Sequence, residues 1–115
     1  MANTFKVVTK AGVTSEDIIY TVAGSTTTVI LGLVLGNTTT SQTTATVTLS
    51  SNTGSRAGNN DENNQDVELI TNAPIPAGSS LEMLAGNKVV METTDLLKVT
   101  GSGATDVCLS IMEIT

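Results

Sequence analysis

The chain has 115 residues, eleven acidic against five basic, no histidine, no tryptophan and one cysteine, for a net charge of −6. That length suits one domain, and the negative charge argues against phosphate backbones or an anionic membrane as partners. Without histidine, and with Cys108 alone among thiols, little is left for proton transfer, nucleophilic attack or transition-metal binding.

Thr and Ser fill 31 positions, and much of the Thr alternates with Val, Leu and Ile. Residues 5–9 read as an opening strand that ends at Ala11-Gly12. Residues 17–22 alternate, with Ile18, Tyr20 and Val22 on one face and Asp17, Ile19 and Thr21 on the other. Residues 26–35 are the most apolar segment. Val29, Leu31, Leu33 and Leu35 share one face, and Ile30 and Val34 flank Gly32 on the other. A strand apolar on both faces is central or covered, and its glycine suggests a bulge.

A polar turn over residues 36–42 leads to residues 43–51, with Ala45, Val47 and Leu49 inward and Thr44, Thr46, Thr48 and Ser50 outward. Residues 52–66 contain five Asn and nothing apolar larger than Ala57, so a flexible, exposed loop is expected. A short strand at 67–70 precedes Pro74 and Pro76, which exclude a central ladder position. Further strands are expected at 80–84, 88–92, 96–100 and 106–114, with turns at Gly86-Asn87, Thr93-Thr94-Asp95 and Gly101-Ser102-Gly103. Eight or nine short strands at regular spacing predict an all-β fold, an antiparallel β-sandwich of jelly-roll or immunoglobulin-like type filling residues 1–115 as a single domain.

Only Phe5 and Tyr20 are aromatic, so the core is aliphatic and thin. Part of the apolar surface is therefore expected to be buried against a partner or copies of the chain. Met83, Met91 and Met112 read as core filler, and Cys108, inside an apolar run, as a buried inert thiol. The N-terminus lacks the pattern of a signal peptide, and the longest apolar stretch, residues 29–35, is too short to span a bilayer. Cytoplasmic synthesis is expected, with no membrane partner.

No catalytic constellation emerges. The lysines fall in or beside strands, and the carboxylates at turns or on polar strand faces. Asp61, Glu62, Asp66 and Glu68 cluster beside asparagines, but their spacing matches no EF-hand, so neither calcium nor any other cofactor is expected. Asn37-Thr38-Thr39 fits the glycosylation triplet by chance.

The run Pro74-Ile75-Pro76-Ala77-Gly78 through Leu81-Glu82 leads to Gly86-Asn87-Lys88-Val89-Val90-Met91, then to Thr94-Asp95-Leu96-Leu97-Lys98-Val99, and closes with residues 106–114. Together with the upstream apolar strand this order, over residues 25–115, resembles small virion structural proteins of tailed phages, especially cyanophages. The resemblance implies a β-sandwich of the phage particle. Its first form is a capsid cement (decoration) protein, bound to the major capsid protein and to copies of itself as a homotrimer, on a capsid surface assembled in the host cytoplasm. Its second is a low-copy tail, collar or baseplate module. A glycan-binding domain and an enzyme are weaker rivals, the first for want of aromatic platforms.

Contacts to protein are expected from three places. They are Phe5 and Lys6 in the N-terminal segment, Arg56, Asn59, Asn60, Asp61 and Glu62 in the loop, and Pro74, Ile75 and Pro76 in the proline turn.

Overall fold

The computed structural model describes residues 2–51, 54, 58, 62–83 and 88–115. Nine strands follow in order: β1 (Asn3–Val13), β2 (Glu16–Thr21), β3 (Thr27–Asn37), β4 (Thr43–Ser50), β5 (Val67–Ile75), β6 (Ser80–Met83), β7 (Val89–Met91), β8 (Leu96–Gly101) and β9 (Thr105–Ile114). No helix occurs among the described residues. One sheet runs β1-β9-β3-β6, with β7 also paired to β3, and the other runs β2-β8-β4-β5. Every pairing is antiparallel. Ile30, Leu33, Leu35, Leu109 and Ile111 of the first sheet and Val47, Ile75, Leu97 and Val99 of the second form the core, all essentially without solvent exposure. The fold is the all-β sandwich that the spacing predicts.

Period-two patterning places most strands as expected. In β4, Ala45 and Val47 are buried between half-buried threonines. Two bulges change the faces elsewhere. Against β8 the register shifts between Ile18 and Tyr20, so Ile19 turns into the core and Ile18 is left 53% exposed. The expected shared face of Ile18, Tyr20 and Val22 is therefore corrected: an extra residue reverses the alternation on one side of it. Against β9 the register of β3 shifts between Ile30 and Gly32. The bulge expected at Gly32 is present. It puts Ile30 on the same inner face as Leu33 and Leu35, and leaves Val29 and Leu31 half-buried.

Cys108 is exposed, not buried. β9 alternates strictly here, with Val107, Leu109 and Ile111 inward, so the residue between two core positions faces out. Met91 belongs to the core and Met83 packs against it, whereas Met112 is half-buried outside the core cluster. The first strand continues past Ala11 to Val13, because Gly12 takes a left-handed φ of 67° at a register shift and its N–H donates to Asp106 Oδ1 at 3.0 Å. The strand expected at 67–70 extends to Ile75 through Pro74, and it can do so because β5 is an edge strand. Of the expected loop at 52–66, residues 54, 58 and 62–66 are described, and none lies in a strand. The turn expected at Gly86-Asn87 lies outside the described residues.

Asn37, at the end of β3, is 3% exposed and ties the two sheets together. Its Nδ2 donates to the Ser41 and Ile75 carbonyls, both at 2.8 Å. Its Oδ1 accepts from Thr39 N at 2.9 Å and Thr39 Oγ1 at 2.7 Å. The amide of the apparent glycosylation triplet is thus committed inside the folded chain.

Candidate interaction surface

The two sheets differ in what they show to solvent. On the second, the outward residues are mostly hydroxyls and charges. One cross-strand row is Ile18, Lys98, Thr48 and Glu68, and another is Glu16, Thr100 and Thr46. On the first sheet the outward rows are richer in apolar side chains. Phe5, Met112, Val29 and Val90 lie side by side across β1, β9, β3 and β7. Thr9, Cys108, Val34 and Glu82 form a parallel row, with Val7 and Ser110 between.

Exposure is 71% at Phe5, 63% at Val7, 59% at Val90 and 37% at Val34. Among the described residues, four of the six large exposed apolar side chains therefore share this one face. Three long strands at about 4.8 Å spacing and ten residues at about 3.4 Å, with β6 and β7 partly filling a fourth position, give the whole sheet face roughly 500–650 Å², below the ~800 Å² that one partner contributes to a standard interface. Its apolar side chains cover part of that face, beside Thr9, Ser110 and Glu82, which puts the patch in the range of the largest on a typical monomer, about 300–600 Å² and often functional.

Beneath its Phe5 end lies a polar cluster that joins the sheets. Lys6 Nζ meets Glu113 Oε1 at 2.7 Å. The Tyr20 hydroxyl donates to Glu113 Oε2 at 2.6 Å, which leaves Thr28 Oγ1 to donate to the Tyr20 oxygen at 2.8 Å. The Lys6 ammonium, and then the Tyr20 hydroxyl, hold the Glu113 carboxyl below its ordinary value. Burial, and then the bond to Glu113, push the Tyr20 hydroxyl up to about 12.

Tyr20→Phe is expected to cost about 1–2 kcal/mol in chemical denaturation, because Thr28 and Glu113 each lose a partner. The pH profile has two arms. The lowered Glu113 stabilises the fold above its unfolded pKa, and that share is lost as pH falls through the folded value. The raised Tyr20 stabilises it below its unfolded pKa of 10.0, and that share is lost as pH climbs toward about 12. Tyr20→Phe should flatten the alkaline arm, and an unchanged arm would refute this assignment.

The structure separates the residues expected to make contacts. Among the described residues Phe5 is the most exposed large apolar side chain, and it lies on the apolar face. Lys6 is half-exposed and paired with Glu113. Ile75 has no exposure and packs in the core, so it is no contact residue: β5 carries its side chain inward while Pro74 and Pro76 stay exposed. Glu62 is exposed; Arg56, Asn59, Asn60 and Asp61 lie outside the described residues. Phe5 and the prolines come from opposite edges of different sheets and do not form one site.

The sequence reading missed Val7, Val34, Val90 and Met112. A signal was present in the two-sided apolarity of residues 29–35, whose second face meets solvent.

No protein-family model and no curated protein matches the chain. Among solved structures, a chain of the Bacillus endospore appendages, a family of disulfide-linked pili, aligns with a TM-score of 0.45 at 16% identity, over 96% of this chain and 85% of that one. A chain of infectious bursal disease virus, Gx strain, aligns with a TM-score of 0.45 at 10% identity over 95% of this chain, which spans 32% of its length.

Proposed function

We propose that this chain is a non-enzymatic structural subunit of a virus particle, specifically a capsid cement protein of a tailed phage that docks on the major capsid protein lattice. The observation that carries the reading is the uncovered apolar face of the first sheet. It is large enough for a partner, carries few charges, and sits opposite a hydroxyl-rich face suited to solvent. The strand and turn order of residues 74–114 supports the same reading by its resemblance to small virion proteins. Covering apolar surface is the dominant favourable contribution to most protein–protein association.

The first test is copy number in the source particle, measured by quantitative mass spectrometry against the major capsid protein. Near one copy per capsid subunit supports the cement role. A few to a few tens of copies moves the chain to the tail, collar or baseplate, and absence from the particle ends the virion reading. A second test asks whether the face makes the contact. Val34→Lys with Val90→Lys should abolish particle binding while changing stability by about 1 kcal/mol or less, since the new charge at 34 faces Glu82 and no like charge. Retained binding would remove the face from the interface.

A further inference from the structure

We infer that β1 is a pairing edge, and that its occupant is β1 of a second copy of the chain, joined antiparallel about a twofold axis at Val7. Sheet edges are usually blunted against such pairing. Here the others are: β6 and β7, which share the far edge beside β3, have four and three residues, β2 carries a bulge, and β5 has two register shifts and Pro74. β1 is different. It pairs with β9 without a register shift over residues 3–10, and among the described residues no strand covers its other side.

The direction of its free groups follows from its ladder. Ala2 and Thr115 exchange both backbone hydrogen bonds, at 3.1 and 3.0 Å. Hydrogen-bonded and non-hydrogen-bonded pairs alternate along an antiparallel ladder. Thr4, Lys6, Val8 and Lys10 therefore bond to β9, while Asn3, Phe5, Val7 and Thr9 aim their N–H and C=O groups at the open edge.

Charge selects a copy of the chain and the register. β1 bears Lys6 and Lys10 and no acid, whereas β2, β5 and β6 all carry carboxylates. β7 also lacks an acid but has only three residues, so β1 is the long edge at which two chains of charge −6 meet without acid facing acid. Lys6 and Lys10 are already paired with Glu113 and Asp17.

Because the outward groups belong to odd-numbered residues, odd must face odd. Centring on Lys6 sets Lys6 against Lys6, and centring on Val8 sets Lys6 against Lys10. Centring on Val7 sets Lys6 against Val8 and Lys10 against Thr4. It pairs Phe5 with Thr9 and Val7 with Val7, makes six backbone bonds, and overlaps residues 4–10. A Phe5 centre overlaps only residues 3–7 of the strand. Pairing on Val7 also joins the two apolar faces into one of twice the width. The inference stands whether or not the chain belongs to a particle, and it replaces the threefold association implied by the phage resemblance with a twofold one.

The test is the mass of the full chain by native mass spectrometry and light scattering at about 100 µM, a concentration suited to an interface below standard size. Twice the 11.8 kDa of one chain is expected. Val7→Pro removes an N–H that points only at the open edge, and should give a monomer with the native circular dichroism spectrum. Should that variant fail to fold, Val7→Cys combined with Cys108→Ser decides. Facing Cα atoms about 5.5 Å apart lie within disulfide reach, so mild oxidation should yield a covalent dimer. A monomeric or trimeric native chain, a dimer that survives Val7→Pro, or a failure to crosslink would each overturn the inference.

Discussion

Asn37→Ala is expected to lower the free energy of unfolding by about 3 kcal/mol, read from urea denaturation at an unchanged slope. Four hydrogen bonds converge on this amide, which is 3% exposed. Alanine leaves the Ile75 carbonyl without its donor in a buried setting. An acceptor stranded away from water costs about 1–3 kcal/mol. The groups on Thr39 and Ser41 lie nearer solvent and recover part of their loss from water. The link also crosses the sandwich, since Asn37 ends a strand of one sheet and Ile75 ends an edge strand of the other. Asn37→Asp sharpens the test. It keeps the size and the acceptor, but aims an oxygen at two carbonyls that need a donor. The expected loss is at least as large as for alanine, and it grows as pH rises and the carboxylate ionises. An aspartate variant milder than the alanine one would show that acceptance from Thr39, and not donation across the sheets, holds this corner.

The sandwich was legible because period-two patterning is strong where one face is apolar and the other hydroxyl, as in Ala45, Val47 and their threonine neighbours. The bulge at Gly32 was legible as a bulge. Its effect on the faces was not, because one inserted residue inverts everything on one side of it. The same holds at Ile18 and Ile19. Cys108 was misplaced because its apolar neighbours were read as a run and not as an alternation. Ile75 reads as a contact residue because it stands between two prolines, yet the edge strand carries its side chain into the core.

The apolar face itself was the hardest to see. Patterning assumes that apolar means inward, and Phe5, Val7, Val34 and Val90 break that rule together. Residues that violate the pattern as a contiguous group mark a surface that needs covering. Their adjacency comes from register between strands far apart in sequence, which no single segment displays.

Gly101→Ala is expected to cost about 3 kcal/mol, at the upper end of what overpacking does. The segment Gly101-Ser102-Gly103 reads in sequence as a turn between two strands. At Gly101 the backbone is not left-handed; what matters is room. A Cβ there would lie 2.6 Å from the Val13 carbonyl oxygen, 2.8 Å from Thr105 Oγ1 and 2.9 Å from the Gly103 carbonyl oxygen. Two of the three are backbone atoms of packed strands or of the turn, and cannot swing aside as a long side chain would. Gly78 is the useful contrast. Its φ is 70°, but a Cβ there meets nothing within 4 Å, so alanine pays only for conformation, about 1–2 kcal/mol. Thermal melts of the two variants should rank Gly101→Ala clearly below Gly78→Ala, and equal losses would refute the account from crowding. The Val13 carbonyl belongs to the last residue of β1. The clash therefore bears on the end of β1, past the register shift that separates Val13 from Lys10.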